Sequence, residues 1–539
     1  SNNTVKQNEI QNFNKGINIY ASDSNRILDN IIADSKYGIL VDFDWDYYKE
    51  SKHNWIENNT ISSNEYGILI YCAVNTTVKN NRLENNDYSF GITEGDLCRK
   101  GLRHFLNDIT SNTADGKPIY YFVNQSDLIL DLPNAAYVGV VNSENVTVRN
   151  LNLSKNYQNL LFAYSKNCSA ENVTVSNHYV GVDIESSDSI SVDCEAYHGS
   201  HNSKGIYLYN STNCSIECYS HDNYYGVYLE RSNNNLINGT YESNKYGVYL
   251  SSSDFNTIRG YALNNNQRGI CLSWSDHNSI ECNVSAADVG IQLSGNYNTV
   301  VNSTVSSCSS WGISSESGSE NRILNCTAVN SGTGFNIKNT LLLYSTAKHN
   351  TYGIRAGANN QVFSNVIENN NYGIELSGAN NYVYNNSVAN NSYGIRVTAQ
   401  QNTIEYNNVT NNSYGIYLTS SYNSIYLNNF INNAQQAYSS GVNTWRSFNA
   451  SYEYNGSTYT GYLGNYWSDY NGSDEDGDGI GETPYEIDDN DADNYPLVEP
   501  KECYENVIPA PPPTYEVSGW IHYEGWDFGG KIYVFAKNA

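Results

Sequence analysis

The chain has 539 residues, a net charge of −27 from 56 acidic against 29 basic side chains, and no methionine. That balance argues against nucleic acid and anionic membrane as partners, and no apolar run is long enough to span a bilayer. Only 16% of residues are charged, so the polarity rests on Asn, Ser, Thr and Tyr, and cations and sugars remain as ligands.

The chain opens inside a repeat: Ser1 to Val5 reads as half of a turn. With no initiator Met and no leader pattern, it reads as a processed, secreted mature chain. A glycine column follows, through Gly16, Gly38, Gly67 and Gly91 and on to Gly334, and becomes strict at Gly353, Gly373, Gly394 and Gly415. A period of 20 or 21 residues is one supersecondary unit. Inside a unit the apolar residues alternate, as in Ile374, Leu376, Val383 and Val388, and no 3.6-residue pattern is sustained. Three short strands with Asn, Gly and Ser at the corners predict one turn of a parallel β-solenoid, an all-β fold. About twenty turns of about 21 residues, spaced roughly 4.8 Å, give a rod on the order of 95 Å over residues 1–443. Ile374 should lie on Ile354 and under Ile395, in a column that no single turn could bury.

The asparagines repeat as well. Asn25, Asn54, Asn145, Asn167, Asn213, Asn235, Asn256, Asn278, Asn298 and Asn321 lead into Asn360, Asn381, Asn402 and Asn423. Stacked in register, each amide can donate to one neighbour and accept from the other. The glycines mark a corner that needs either φ above zero or a close backbone approach. Two insertions interrupt the repeat, at 42–52 and 94–124. The first is acidic and aromatic. The second predicts a short helix over Leu97–Leu106, a turn at Gly116–Pro118 and a strand Ile119–Val123.

After residue 443 the period stops. Residues 444–499 read as a Tyr/Gly/Asp-rich cap, 500–514 as a stiff Pro-rich linker and 515–539 as a tail with two strand-like runs. The eleven cysteines lack CxxC pairs, which disfavours zinc. Cys194 with Cys218, and Cys72 with Cys98, are disulfide candidates; the alternative is that cysteines fill apolar columns as small hydrophobes. Sequons at Asn75, Asn238, Asn302, Asn385, Asn390, Asn408, Asn411 and Asn455 are glycosylation candidates on an extracellular rod, whereas Asn145, Asn167 and Asn213 should point inward.

Two places carry chemistry. Asp474, Asp476 and Asp478, with Gly479, alternate as in the first half of an EF-hand loop, which suits calcium. Ile480 and Glu482 belong to the expected ligand set. Tyr485 stands where the twelfth-position Glu is expected, and Glu482, Asp488 or Asp489 completes the shell. The second is a weak catalytic cluster: Asp183, Asp193, His198, His201 and His221, near His178, on neighbouring turns. Stacked His and Asp can bind a metal or do acid–base work on a sugar.

The segment GNYWSDYNGSDEDGDGIGETPYEIDDNDADNYPL (464–497) resembles the C-terminal signature of the NosD-like, or CASH, right-handed β-helix family, built of PbH1-type repeats. GKPIYYFVNQSDL (116–128) and the NNxxYGIxL units (369–418) resemble its archaeal cell-surface members. The resemblance implies a secreted or surface-exposed right-handed β-helix. It leaves the activity open among carbohydrate binding, sugar hydrolysis, copper-site maturation and surface-layer roles. Zero Met argues against copper delivery. The expected function is a structural surface-layer, sheath or filament subunit, calcium-stabilised and glycosylated, whose partner is a second copy of itself joined head-to-tail or by strand donation from the tail. The alternative is an extracellular protein that binds or degrades polysaccharide, with cell-surface glycans as partners; the tyrosines at the corners read more simply as stacked scaffold.

Overall fold

In the computed structural model the chain is a parallel β-solenoid of about 20 turns. The structure describes residues 2–94, 98, 100–489 and 491–509; the two strand-like runs of the tail lie outside the described residues. Each turn supplies three short strands, so equivalent residues form three stacked columns. Ile354, Ile374, Ile395 and Ile416 are in register along one sheet. Val362, Val383, Ile404 and Ile425 run along the second, and Ile367, Val388, Val409 and Phe430 along the third. All twelve are fully buried, so the core is a continuous apolar rod.

The corners explain the Asn-Asn dipeptides. The first Asn of each pair takes the left-handed conformation, with φ 60° at Asn359, 58° at Asn369, 61° at Asn380 and 54° at Asn385, which Asn tolerates better than other side chains. The second turns inward and stacks. Asn360 donates its backbone N–H and its side-chain amide to the Asn381 carbonyl oxygen at 3.0 and 2.8 Å, and Asn381 does the same to Asn402 at 2.9 and 2.9 Å. There are three such ladders. Asn365, Asn386, Asn407 and Asn428 form the second, and Asn370, Asn391, Asn412 and Asn433 the third. The glycines answer the other need. A Cβ on Gly373 would stand 2.5 Å from the carbonyl oxygen of Gly394, so close backbone approach, rather than φ, fixes them.

Three ladder assignments are corrected. Asn145, Asn167 and Asn213 face solvent at φ 56°, 51° and 55°. The inward residue is the next one, Val146, Cys168 or Cys214. These rungs have a single Asn, and it serves the left-handed corner.

The ladders run donor-to-acceptor toward the C-terminus, so each needs an acceptor at that end. The cap supplies the first two. Asp491 accepts from Asn443, and Asp493 from the backbone and side-chain amides of Asn465 at 2.7 and 3.2 Å and from the Trp467 indole at 3.0 Å. The third ladder ends within the rod itself, where Gln436 of its last strand accepts from Asn433 at 2.8 Å. Trp467 stacks on Phe430 and closes the apolar column. Ala450–Tyr454 pairs antiparallel with Ser457–Gly461 and with Tyr504–Pro509. Residues 504–509 are therefore a strand of the cap and not linker.

In the first insertion Asp44 bridges Lys49 as a small hairpin. The described part of the second carries a 3-10 turn at Leu102–His104, inside the range where a short helix was expected, and a hairpin in which Lys117–Val123 pairs with Thr113–Ala114, so Lys117 and Pro118 belong to the strand. Cys72 is bonded to Cys98. Cys194 and Cys218 are in register on adjacent turns but unbonded, each a buried thiol. Parallel neighbours hold Cβ atoms about one strand spacing, roughly 4.8 Å, apart, wider than a disulfide takes.

Candidate functional site

The structure divides the His/Asp candidates between two faces. Asp193 and His221 face outward on strands Ser191–Tyr197 and Ser215–His221, beside a hollow of about 540 Å³ that Glu195, Glu217 and Tyr219 also line. His221 stacks on Tyr197 at 5.1 Å and on Tyr219 at 4.6 Å, and pairs with Asp222 at 2.8 Å. His198 meets His221 edge-on at 6.2 Å, while His201 packs on Tyr224 and is exposed. His178 is fully buried with no hydrogen-bond partner on either ring nitrogen; burial lowers it to about 4, so it is a neutral core residue.

Asp183 lies on a different sheet, beside a partner that sequence reasoning missed. Asp183 and Glu185 point the same way from one strand, and both are buried. Oδ1 of Asp183 and Oε2 of Glu185 have no hydrogen-bond partner. Burial pushes Asp183 up to about 7, with Glu94 adding to the rise and Lys204 and Lys100 opposing it. Glu185 is raised as well, by burial and by Asp183. The second insertion stands over the pair. Its Lys100 sits 3.3 Å from the Tyr209 ring centre, and Lys204 from the sheet sits 3.3 Å from Tyr207.

That insertion is held in place by a buried hydrogen-bonded cluster. The His104 ring lies between Glu94, at 2.6 Å, and Glu50 of the first insertion, at 2.9 Å. Despite its burial, Glu50 is held down to about 2 by His104, Arg103 and Lys52. Between the insertions is a cleft of about 910 Å³ lined by Phe43, Tyr47, Tyr48, Glu50, Lys52 and Arg103.

From Asp183 a strip of tyrosines runs down the same sheet. Asp183, Tyr207, Tyr228 and Tyr249 are successive outward residues in register. Tyr225 and Tyr246 stack beside them at 5.1 Å. The signal was legible in GIYL, GVYL and GVYL (205–208, 226–229, 247–250), where period two turns the Tyr outward, but it was hidden among 49 tyrosines. In later turns the same column runs from Cys271 and Gln292 to Arg355, Glu375 and Arg396, and returns to tyrosine at Tyr417 and Tyr438.

In the cap loop, Asp474, Asp476 and Glu482 bring one carboxylate oxygen each within 4.8 Å of one another. Both Asp474 oxygens also accept backbone N–H bonds from Gly477 and Gly479 at 2.8 Å. Asp478 is turned aside to accept from the N–H of Ile480, and its carboxyl is raised by burial and by the charges of Asp476, Asp474 and Glu482. The side chain of Ile480 packs into the cap core. Hard oxygen ligands in a Gly-rich turn can hold a divalent cation. Of the sequon asparagines, Asn75, Asn302, Asn385, Asn390, Asn411 and Asn455 are exposed; Asn238 and Asn408 are half-buried, and Asn408 accepts from Asn429 and Lys501.

The sequence matches the family model described as periplasmic copper-binding protein (NosD) over residues 107–284, 219–367 and 338–472, and that of the right handed beta helix region over residues 1–100. No curated protein matches the chain. Among solved structures it is similar to the A-module of mannuronan C-5 epimerase AlgE6 from Azotobacter vinelandii, at 11% identity and a TM-score of 0.22, over 73% of this chain and 89% of that one. It is similar to alginate lyase AlyF-OU02 in complex with G6, at 9% and 0.29, over 64% and 85%. It is also similar to PfbA, a surface adhesin of Streptococcus pneumoniae, at 15% and 0.17, over 76% and 90%. These likenesses are of fold alone. Copper does not fit the residues present: the chain has no Met, and the one cluster of three metal-capable side chains among the described residues is all oxygen.

Proposed function

The chain belongs to the NosD family of right-handed β-helix proteins, and we propose that it is an extracellular or cell-surface member that binds polysaccharide along the tyrosine strip. The observation that carries this reading is the doubling of the tyrosines. Tyr352, Tyr372 and Tyr393 form a single stack at the corner, as scaffold requires, and a second Tyr reappears only at the end of the rod, at Tyr417 and Tyr438. In turns 225–250 a second Tyr per turn, Tyr228 and Tyr249, stands on the outward strand position, where scaffold needs none, and Tyr207 continues that column one turn earlier. The result is a surface two rings wide, with polar groups at its margins. Glu230 accepts from the Tyr207 hydroxyl at 2.8 Å, and Lys245 and Arg268 flank Tyr246. Ring faces with a few convergent polar groups are what a pyranose chain demands. No helix among the described residues is long and apolar enough to cross a membrane.

Affinity electrophoresis of the full chain against neutral glucans, mannans and uronate polymers tests the reading. Tyr228→Ala should weaken retention about tenfold, the loss of one aromatic contact. Unchanged retention of Tyr228→Ala on every polymer that holds the parent would remove this face from consideration.

In the same reading the loop of Asp474, Asp476 and Glu482 binds calcium and braces the cap. Chelation, or Asp474→Asn, should lower the stability of the cap by about 2–3 kcal/mol, the linkage expected at a hundredfold excess of ion over Kd. Melting curves that coincide with and without chelator would rule the ion out.

A further inference from the structure

At the corner that follows the tyrosine strip, three successive turns put rings into the left-handed slot that Asn234 fills one turn earlier. Phe255, His277 and Tyr297 have φ 58°, 57° and 56°, and their rings stack face to face at 4.8 and 4.9 Å. Asn occupies this conformation cheaply, whereas a bulky side chain there is strained. Nor do these rings serve the core: Phe255 is 56% and Tyr297 54% exposed. In the turn of His277, Trp274 adds another ring at φ 50° and is 81% exposed. It directly follows Ser273, which is in register with Ser251 and Glu230 at the margin of the strip. Ridge and strip are thus contiguous. An exposed aromatic cluster held in a strained backbone marks a contact surface.

The polar groups among the rings are acceptors. Oδ1 of Asp254 accepts the N–H of Asp276 at 2.7 Å, and Oδ1 of Asp276 accepts the N–H of Asn296 at 2.6 Å. Each carboxylate is pinned to the rod by one oxygen and keeps a second beside the rings. We propose that this ridge is a further sugar platform: Trp274 takes the apolar face of a pyranose ring, and the outer oxygens of Asp254 and Asp276 accept from its hydroxyls. The inference rests on the strip being a glycan face and adds its direction. A chain lying on Tyr228 and Tyr249 leaves the sheet across the Trp274 corner, so long oligosaccharides gain over short ones.

The test uses the full chain with Trp274→Asn and Phe255→Asn, because Asn keeps the left-handed corner while removing the ring. Affinities are measured by titration for di- and hexasaccharides of the polymer that the parent retains. Trp274→Asn should lose about tenfold for the hexasaccharide and nothing for the disaccharide, whereas Tyr228→Ala should lose for both. If Trp274→Asn binds the hexasaccharide as the parent does while Tyr228→Ala is weakened, the ridge is not a sugar site and the strip stands. If neither variant is weakened, or the parent binds no oligosaccharide, both readings fall. If Trp274→Asn changes only self-association in sedimentation, the ridge is a protein contact and the proposal is overturned.

Discussion

Replacing Asn381 by Leu should destabilise the rod by about 2–4 kcal/mol, while Asn385→Gly should leave it within about 0.5 kcal/mol. The two sites are four residues apart on successive corners, Asn381 at the inward ladder position of one and Asn385 at the left-handed position of the next. The carbonyl oxygen of Asn381 accepts two bonds from Asn360, and its amide donates to Asn402 and to the carbonyl of Gly378 at 2.7 Å. Leu removes all of these and leaves the Asn360 N–H buried and unpaired. Asn385 is exposed at φ 54°, and its side-chain amide donates to Ser364 Oγ at 3.1 Å; Gly keeps that backbone at no steric cost, whereas Ala would add strain of its own. Solenoids unfold by neighbouring repeats, so the measurement is amide exchange across residues 360–402 as well as denaturant unfolding. Equal effects of the two substitutions would mean that the ladder carries no more stability than a surface amide.

The rod was legible because the sequence restates it about twenty times. Ile354, Ile374 and Ile395 announce the period, the alternation gives the strands, and stacking then follows from the need to bury each column. The ladder was only partly legible. One Asn column stood out because it precedes a Val or Ile in every clean turn, yet Asn365, Asn386 and Asn407 obey the same rule at the second corner. In single-Asn turns such as those of Asn145 and Asn213 the sequence does not say whether the corner or the ladder receives the amide; there the left-handed corner does, and Cys214 fills the ladder slot. The acidic loop was legible from its spacing, except that Asp478 turns to its own backbone. Asp183 was found for its neighbours in sequence, Asp193 and His198, which the fold places on another face. Its true partners, Glu185, Lys204, Glu94 and Lys100, could not be read, since two of them come from an insertion with no repeat register to place it.

That arrangement sets the second expectation: Asp183→Asn should stabilise the protein at pH 8 and change little at pH 4. A buried carboxyl raised to about 7 in the fold, against about 3.9 in the unfolded chain, is favoured in its protonated form. Its contribution is therefore fully present below about pH 4, where both states hold the proton, and is lost as pH climbs through 7. Over that window the parent forfeits roughly 2–4 kcal/mol that an amide, neutral throughout, does not. The groups that face Asp183 fix the sign. Lys204 and Lys100 oppose the rise, but Glu94 adds negative charge, and burial exceeds them all. A rod with isoleucine available for any buried slot retains two destabilised carboxyls where a strip of tyrosines begins, and such sites concentrate at binding and catalytic positions. Melting temperatures of parent and variant that run parallel from pH 4 to pH 8 would mean that Asp183 is ionised and paired in the fold, and the strip would then begin at Tyr207.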